Sequence, residues 1–163
     1  MSVLRHGINT SLVGLSTEAA EFDLGAVYID KVKGHYRYAQ ASGAIDAGAA
    51  VTLTYTVGSA NTVTDCQAAE VDTTASGSTP KVIGIAQAAL ADNEYGWFWV
   101  GCGHTEALVA TGVSAGDALT TTATAGELGA GGDAVTGLAA LDANSSGSTA
   151  LRTVVASGFI KTN

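Results

Sequence analysis

A chain of 163 residues fits one domain, and at that size roughly 68–70% of the unfolded surface is buried on folding, so a core forms without staples. Its 15 acidic and 7 basic residues leave a net charge of −8, and the cations at positions 5, 31, 33, 37, 81, 152 and 161 form no stripe along the sequence, which argues against nucleic acid as a partner. No apolar run approaches the ~18 residues of a membrane span and Met1 to Leu15 has no continuous apolar stretch, so the expectation is a cytoplasmically made protein with neither signal peptide nor membrane contact.

Small and hydroxyl-bearing side chains dominate: 30 Ala, 21 Gly, 20 Thr and 12 Ser make up 83 of the 163 residues. Charged residues are 13% and hydrophobic ones 47%, against about 25% charged in an ordinary soluble domain. Under-charging of this kind points to a surface partly covered by another copy or another protein; the plain alternative is a monomer with a neutral, Thr-rich exterior. Cys66 and Cys102 lie 36 residues apart with no C-x-x-C spacing. They are expected as two thiols, although the pair could meet as a disulfide.

Taken in chain order, Ser2 to Leu15 is polar but carries Val3, Leu4, Ile8, Leu12, Val13 and Leu15, and residues 1–21 are expected as an extended arm preceding a β-rich domain over 22–163. Thr17 to Phe22 favours a turn or two of helix. Val27-Tyr28-Ile29, the Lys33-Gly34 turn and Tyr36 to Ala39 predict a hairpin. Val51 to Val57 alternates Val51, Leu53, Tyr55 and Val57 with three threonines, the period of a half-buried strand, and Thr62-Val63-Thr64 is expected to return antiparallel after Gly58 and Asn61. Asp72 to Pro80 reads as a loop. Lys81 to Ala86 predicts a buried strand, Asp92-Asn93 a turn, and Tyr95 to Val100 an aromatic strand that Glu106 to Ala110 extends or pairs with.

Leu119 to Thr124 is β-prone. Ala123 to Thr149 is expected as a loop-rich excursion with one short element at Ala134-Val135-Thr136 and the apolar pair Leu138 and Leu141. Thr153 to Ala156 and Phe159-Ile160 predict a last strand with a bulge at Ser157-Gly158. An internal echo also appears: GAIDAGAAVTL from Gly43 and TGVSAGDALTT from Thr111 each place Ala-Gly before a strand start, with Gly48 and Gly116 able to take positive φ. Two such units predict repeated corners of a barrel or sandwich. The fold class expected is therefore all-β, a single β-sandwich or β-barrel-like domain with long Gly/Ala/Thr-rich loops.

The search for chemistry finds one cluster. On an extended strand Cys102, His104 and Glu106 share a face, and a thiol, an imidazole and a carboxylate are ligand or catalytic types. A zinc site needs further converging ligands, whereas His6 and His35 are isolated. Neighbours at i and i+2 stand roughly 6.5–7 Å apart, too far for a direct Cys–His hydrogen bond, so the ordinary reading is a buried Cys beside surface His and Glu. Phosphate-loop, serine-elbow and H-E-x-x-H patterns do not occur. Glu70 and Asp72 have no aromatic platform for a sugar. Asp117 and Asp133 are expected as turn caps, Gly131-Gly132-Asp133 gathers few oxygens for calcium, and the glycosylation-like triplets at Asn9 and Asn144 are taken as chance in a cytosolic product. No catalytic residue, metal or cofactor is expected.

The most informative stretch is Tyr95-Gly96-Trp97-Phe98-Trp99-Val100. Period 2 puts Tyr95, Trp97 and Trp99 on one face and Phe98 and Val100 on the other, so both faces must be covered, by core alone or by core and a subunit contact.

The order FDLGAV from Phe22, YRYAQASGAI from Tyr36, VIGIA from Val82, YGWFWVGCG from Tyr95 and VSAGDAL from Val113 resembles small tailed-phage head proteins of the capsid cement or decoration class, over about residues 22–125. The resemblance implies a non-enzymatic virion protein on the outer surface of the capsid, bound to the major capsid protein, homo-oligomeric with a trimer favoured, bridging capsomers to stabilise the head. Residues 123–149 match no part of that pattern. The contact residues expected are Val3, Leu4, Ile8, Leu12, Val13 and Leu15 of the arm, which could order on a partner's sheet edge, and Tyr95, Trp97 and Trp99. The competing readings are a tail- or fibre-associated β-protein, which shares the low charge and Thr-rich strands, and an enzyme or sugar-binding module built on Cys102, His104 and Glu106.

Overall fold

The computed structural model describes residues 13–59, 63–70, 82–130, 134–145 and 147–162. Among them the chain is all-β, with ten strands: β1 (Val27–Asp30), β2 (Gly34–Ala41), β3 (Ala50–Val57), β4 (Val63–Glu70), β5 (Val82–Ala86), β6 (Tyr95–Val109), β7 (Ala118–Thr121), β8 (Leu128–Gly129), β9 (Ala134–Ala140) and β10 (Ala150–Thr162). The predicted first hairpin forms with Tyr28 opposite Tyr36. β3 and β4 run antiparallel with Leu53 opposite Ala68, and β10 shifts register between Ala156 and Phe159, where Ser157-Gly158 was expected to bulge. The Asp72–Pro80 loop, Thr62, Lys81 and the Gly131–Asp133 turn lie outside the described residues.

Two expectations are corrected. Thr17 to Phe22 forms no helix: Thr17 bridges antiparallel to Tyr95, exchanging backbone bonds of 3.0 and 2.9 Å. Six residues cannot offset helix nucleation when a strand offers partners directly. Residues 123–149 hold more strand than the single short element expected, since β8 and the seven-residue β9 both fall there. Their small side chains suit close strand approach: a Cβ on Gly129 would stand 2.8 Å from Cγ2 of Thr122.

Following the pairings round, β2–β4–β3–β5–β6 returns to β2, and β6–β8–β7–β9–β10 returns to β6. Two five-stranded rings thus share β6, its first half in one and its second half in the other, and closure leaves few open strand edges. The first barrel is filled by Ala39, Ala41, Val51, Leu53, Cys66, Phe98 and Val100. The second is filled by Val109, Leu119, Leu128, Leu138, Ala140 and Val154. That second cluster continues over the outside of the first barrel through Tyr36, Tyr38, Ile83, Ile85, Trp97 and Trp99. Alternate residues of β6 therefore serve two different cores, which is why the strand is apolar on both faces.

The echo at Gly48 and Gly116 marks one corner in each barrel, and each has a partner. Ile45 bridges Leu90 and Val113 bridges Asn144. Three residues on, Gly48 (φ 79°), Asn93 (φ 68°), Gly116 (φ 91°) and Gly147 (φ 94°) all take positive φ, just ahead of β3, β6, β7 and β10. In three corners that residue donates its N–H to a buried alanine carbonyl: Gly48 to Ala86 (2.9 Å), Asn93 to Ala41 (3.0 Å) and Gly116 to Ala140 (2.8 Å). The same alanines donate back to the next residue, at Ala49, Glu94 and Asp117. Ala41, Ala86 and Ala140 are buried at these crossings, which gives some of the chain's alanines a place in the core.

Candidate interaction surface

The candidate trio Cys102, His104 and Glu106 does not share one regular strand face. Cys102 has φ 60° beside Gly101 at φ 120°, so the alternation on which the shared face depended breaks at that bulge. Beyond it β6 resumes in register, with His104 opposite Val155 and Glu106 opposite Thr153. His104 and Glu106 are exposed and Cys102 half-buried. His104 and Glu106, with Lys33, Gln87 and Leu151, line an open cleft of about 480 Å³. Among the described residues no three His, Cys, Asp or Glu side chains gather as a metal's donor set. Both cysteines are thiols. Cys66 sits inside the first barrel, where burial foremost pushes its thiol up to about 11, and burial likewise lifts the neighbouring Tyr55 hydroxyl to about 12.

The aromatic face of β6 is internal to the chain. Trp97 packs against Tyr38 (5.1 Å between ring centroids), Phe22 (5.2 Å) and Tyr28 (6.1 Å). Trp99 is fully buried and its Nε1–H donates to the Lys33 carbonyl at 2.7 Å. Tyr95 is half-buried, stacked on Tyr38 at 6.3 Å, and its hydroxyl accepts from Gln40 at 3.1 Å. Of the arm residues, Val13 is buried in the same cluster while Leu15 is 52% exposed. Val3, Leu4, Ile8 and Leu12 lie outside the described residues.

Sequence reasoning missed a different surface, one that forms where three backbones cross. A Cβ on Gly103 would collide with the carbonyl of Lys33, one on Gly34 with that of Gly101, and one on Gly101 with that of Gly158. Glycine at these points lets the β1–β2 turn and the bulges of β6 and β10 touch backbone to backbone. Around the crossing stand Val32 (73% exposed), Phe159 (58%) and Ile29 (47%). The Phe159 ring meets that of His35 at 5.4 Å, and His35 pairs with Ile29 across the hairpin.

Lys31, Lys33 and Lys161 are the exposed cationic side chains of the described residues, and Lys31 and Lys33 flank Val32 in the β1–β2 turn. Asp30 is turned into its own turn, accepting the N–H groups of Val32 and Lys33 at 2.8 Å each. Those two bonds hold its carboxyl below the ordinary 3.8. β1 pairs with β2 alone among the described strands, so its outer edge adjoins this patch. The signal was unreadable in the sequence because Ile29 and Phe159 are 130 positions apart.

A smaller apolar area occupies the outer face of the second barrel, where Leu151 (43% exposed) lies opposite Leu108 and beside Leu141 (49%). No protein-family model, no curated protein and no solved structure matches this chain.

Proposed function

We propose that this chain is a structural component of a tailed-phage virion, a decoration protein that binds the outer surface of the assembled head, contacts the major capsid protein and bridges neighbouring capsomers. The observation that carries the reading is the surface. Large apolar side chains scattered singly are ordinary, but Ile29, Val32 and Phe159 gather at one place, on a chain with only 13% charged residues. Such a patch marks an interaction site rather than a solitary exterior. The order of motifs resembling phage cement proteins directs that site toward a capsid, and the net charge of −8 suits the outer face of a shell better than its DNA-facing side.

The mechanism involves no catalysis. Each copy makes a modest contact, and copies joined across several capsomers gain avidity because the second contact is effectively intramolecular. Pressure from packaged DNA drives capsomers apart, and a clamp across the seam makes separation less favourable. Two closed barrels suit a clamp, since their backbone groups are satisfied internally and little rearrangement is needed to dock.

The test is co-sedimentation of purified protein with heads of the parent phage that lack it. Saturable binding to heads is expected, and binding to tails instead would select the tail-protein reading. Deleting residues 2–12, which spares the buried Val13, is expected to abolish head binding while the β-domain keeps its melting temperature. Undiminished binding by that truncation would exclude the arm from the contact.

A further inference from the structure

One stretch of β6 is paired on a single side. From Gly103 to Val109 it runs beside β10, and on its other side Leu108 donates its N–H to the Gly48 carbonyl (2.8 Å) and Ala110 to that of Leu128 (2.7 Å). Backbone groups of successive residues point to opposite sides of a strand, so those of His104 and Glu106 face as Leu108's do, away from β10. Among the described residues no backbone group pairs with them there. His104, Thr105 and Glu106 line the cleft of about 480 Å³ together with Lys33, Gln87 and Leu151, so this open edge borders that cleft.

A second cavity of about 240 Å³ adjoins it, since Lys33 and Gln87 line both. Val13 and Gly14 line the smaller one, and Val13 is the first described residue. The arm is therefore tethered at the groove that leads to the open edge. Residues 1–12 carry Arg5 and His6 and no acidic residue, whereas residues 13–163 hold all 15 acidic and six of the seven basic residues, a net charge of −9. Glu106 in the larger cavity and Asp30 in the smaller are the groove's carboxylates, with Lys33 between them and His104 beside Glu106.

We propose that the arm docks on its own chain, residues 3–10 adding as a strand to the open edge of β6 with Arg5 facing Glu106. Strand addition supplies the partners that the N–H and C=O groups of His104 and Glu106 lack. Twelve extended residues reach about 40 Å, ample for an edge of about 10 Å that begins one cavity away. The arm's apolar side chains gain cover from Leu151, which lines the cleft and is 43% exposed. A short tether holds the arm at an effective concentration of about a millimolar, so a chain's own arm outcompetes that of another copy in dilute solution. The inference concerns the chain in solution and does not rest on the decoration reading.

Backbone amide hydrogen exchange of the full chain, read residue by residue by NMR, tests it. The His104 and Glu106 amides are expected to exchange at least about tenfold more slowly than in a chain lacking residues 2–12, with the β3 amides unchanged as the check on folding. Their protection is expected to be the same on dilution, as a contact within one chain requires. In the full-length chain Arg5→Glu and, separately, Glu106→Arg are each expected to remove most of the protection at His104. Combining the two exchanges the charges and is expected to restore it, which a general loss of structure would not do. Amides that exchange as freely in the wild type as in the truncation overturn the proposal, and so does a charge exchange that restores nothing. Protection that fades on dilution would give the edge to a second copy's arm and also overturn it. Protected amides on a chain that ignores heads would keep the dock and sink the decoration reading, and open amides on a chain that coats heads would do the reverse.

Discussion

The two barrels share β6 and the same corner design, yet they are sealed differently. The first is covered on both faces: its interior holds Phe98, Val100 and Leu53, and its outer aromatic layer of Tyr36, Tyr38, Trp97 and Trp99 is capped by Val13, Phe22, Leu24 and Tyr28. The second is filled by medium and small residues such as Val109, Leu119, Leu138 and Ala140, and its outer face leaves Leu141 and Leu151 in solvent. Large apolar groups thus bind the first barrel to its surroundings, while the second depends on closely approached backbones and one buried polar network. Asn144 anchors that network. It is fully buried, donates to the Val109 carbonyl (2.8 Å) and the Ser148 carbonyl (3.2 Å), and accepts from Arg152 Nη2 (3.1 Å).

The largest break in this comparison is expected from Trp99→Ala. It opens a cavity between the barrels and strands the Lys33 carbonyl, so a loss of about 3–5 kcal/mol is expected in urea unfolding, a large share of the roughly 5–15 kcal/mol of a typical domain. A loss under about 1 kcal/mol would mean the aromatic layer is not structural. Asn144→Ala acts on the second barrel and is expected to cost about 1–3 kcal/mol by orphaning buried partners. Hydrogen exchange is expected to quicken in β7, β9 and β10 of that variant and to stay slow in β3 and β4; equal acceleration throughout would show that the barrels unfold as one unit.

Thiol chemistry sharpens the same contrast more gently. In the native chain Cys102 is expected to react with a disulfide reagent at neutral pH, and Cys66, buried and with its thiol pushed up to about 11, to react at least about a hundredfold more slowly until the first barrel opens. Equal rates would place Cys66 in solvent. The smallest effect is at Asp30. Its folded carboxyl lies below 3.8 because two backbone N–H groups bind the charged form. The stabilisation is therefore present above pH 3.8 and lost as pH falls through the lower folded value. Asp30→Asn, whose amide oxygen accepts the same bonds at every pH, is expected to flatten the acid limb of the stability curve slightly, and an unchanged limb would exclude that contribution.

What was legible in the chain follows from local physics. Alternation in Tyr95 to Val100 foretold a strand covered on both faces, Lys33-Gly34 foretold the first turn, and Ser157-Gly158 the late bulge, because each depends on neighbours within a few residues. Ring closure did not show, since the pairing of Tyr36 with Trp99 or of Val109 with Leu128 depends on segments far apart. The corner echo revealed two of four corners. The others escaped because Asn93 replaces glycine at the positive-φ position and polar Asn144 replaces an aliphatic bridge residue. The shared face that strand period offers for Cys102, His104 and Glu106 is absent for a related reason: Gly101 and Cys102 take positive φ values that break the alternation. The Phe159 patch needed the fold itself, which gathers residues from the first and last thirds of the chain.

The account stands or falls on whether this surface meets a capsid. Electron cryomicroscopy of purified protein mixed with undecorated heads measures that directly. The account predicts added density on the outside of the shell at repeated symmetry-related positions, with neighbouring copies or capsomers bridged and the Ile29, Val32 and Phe159 end in contact rather than in solvent. Bare shells under saturating protein, or density confined to the tail, would contradict it.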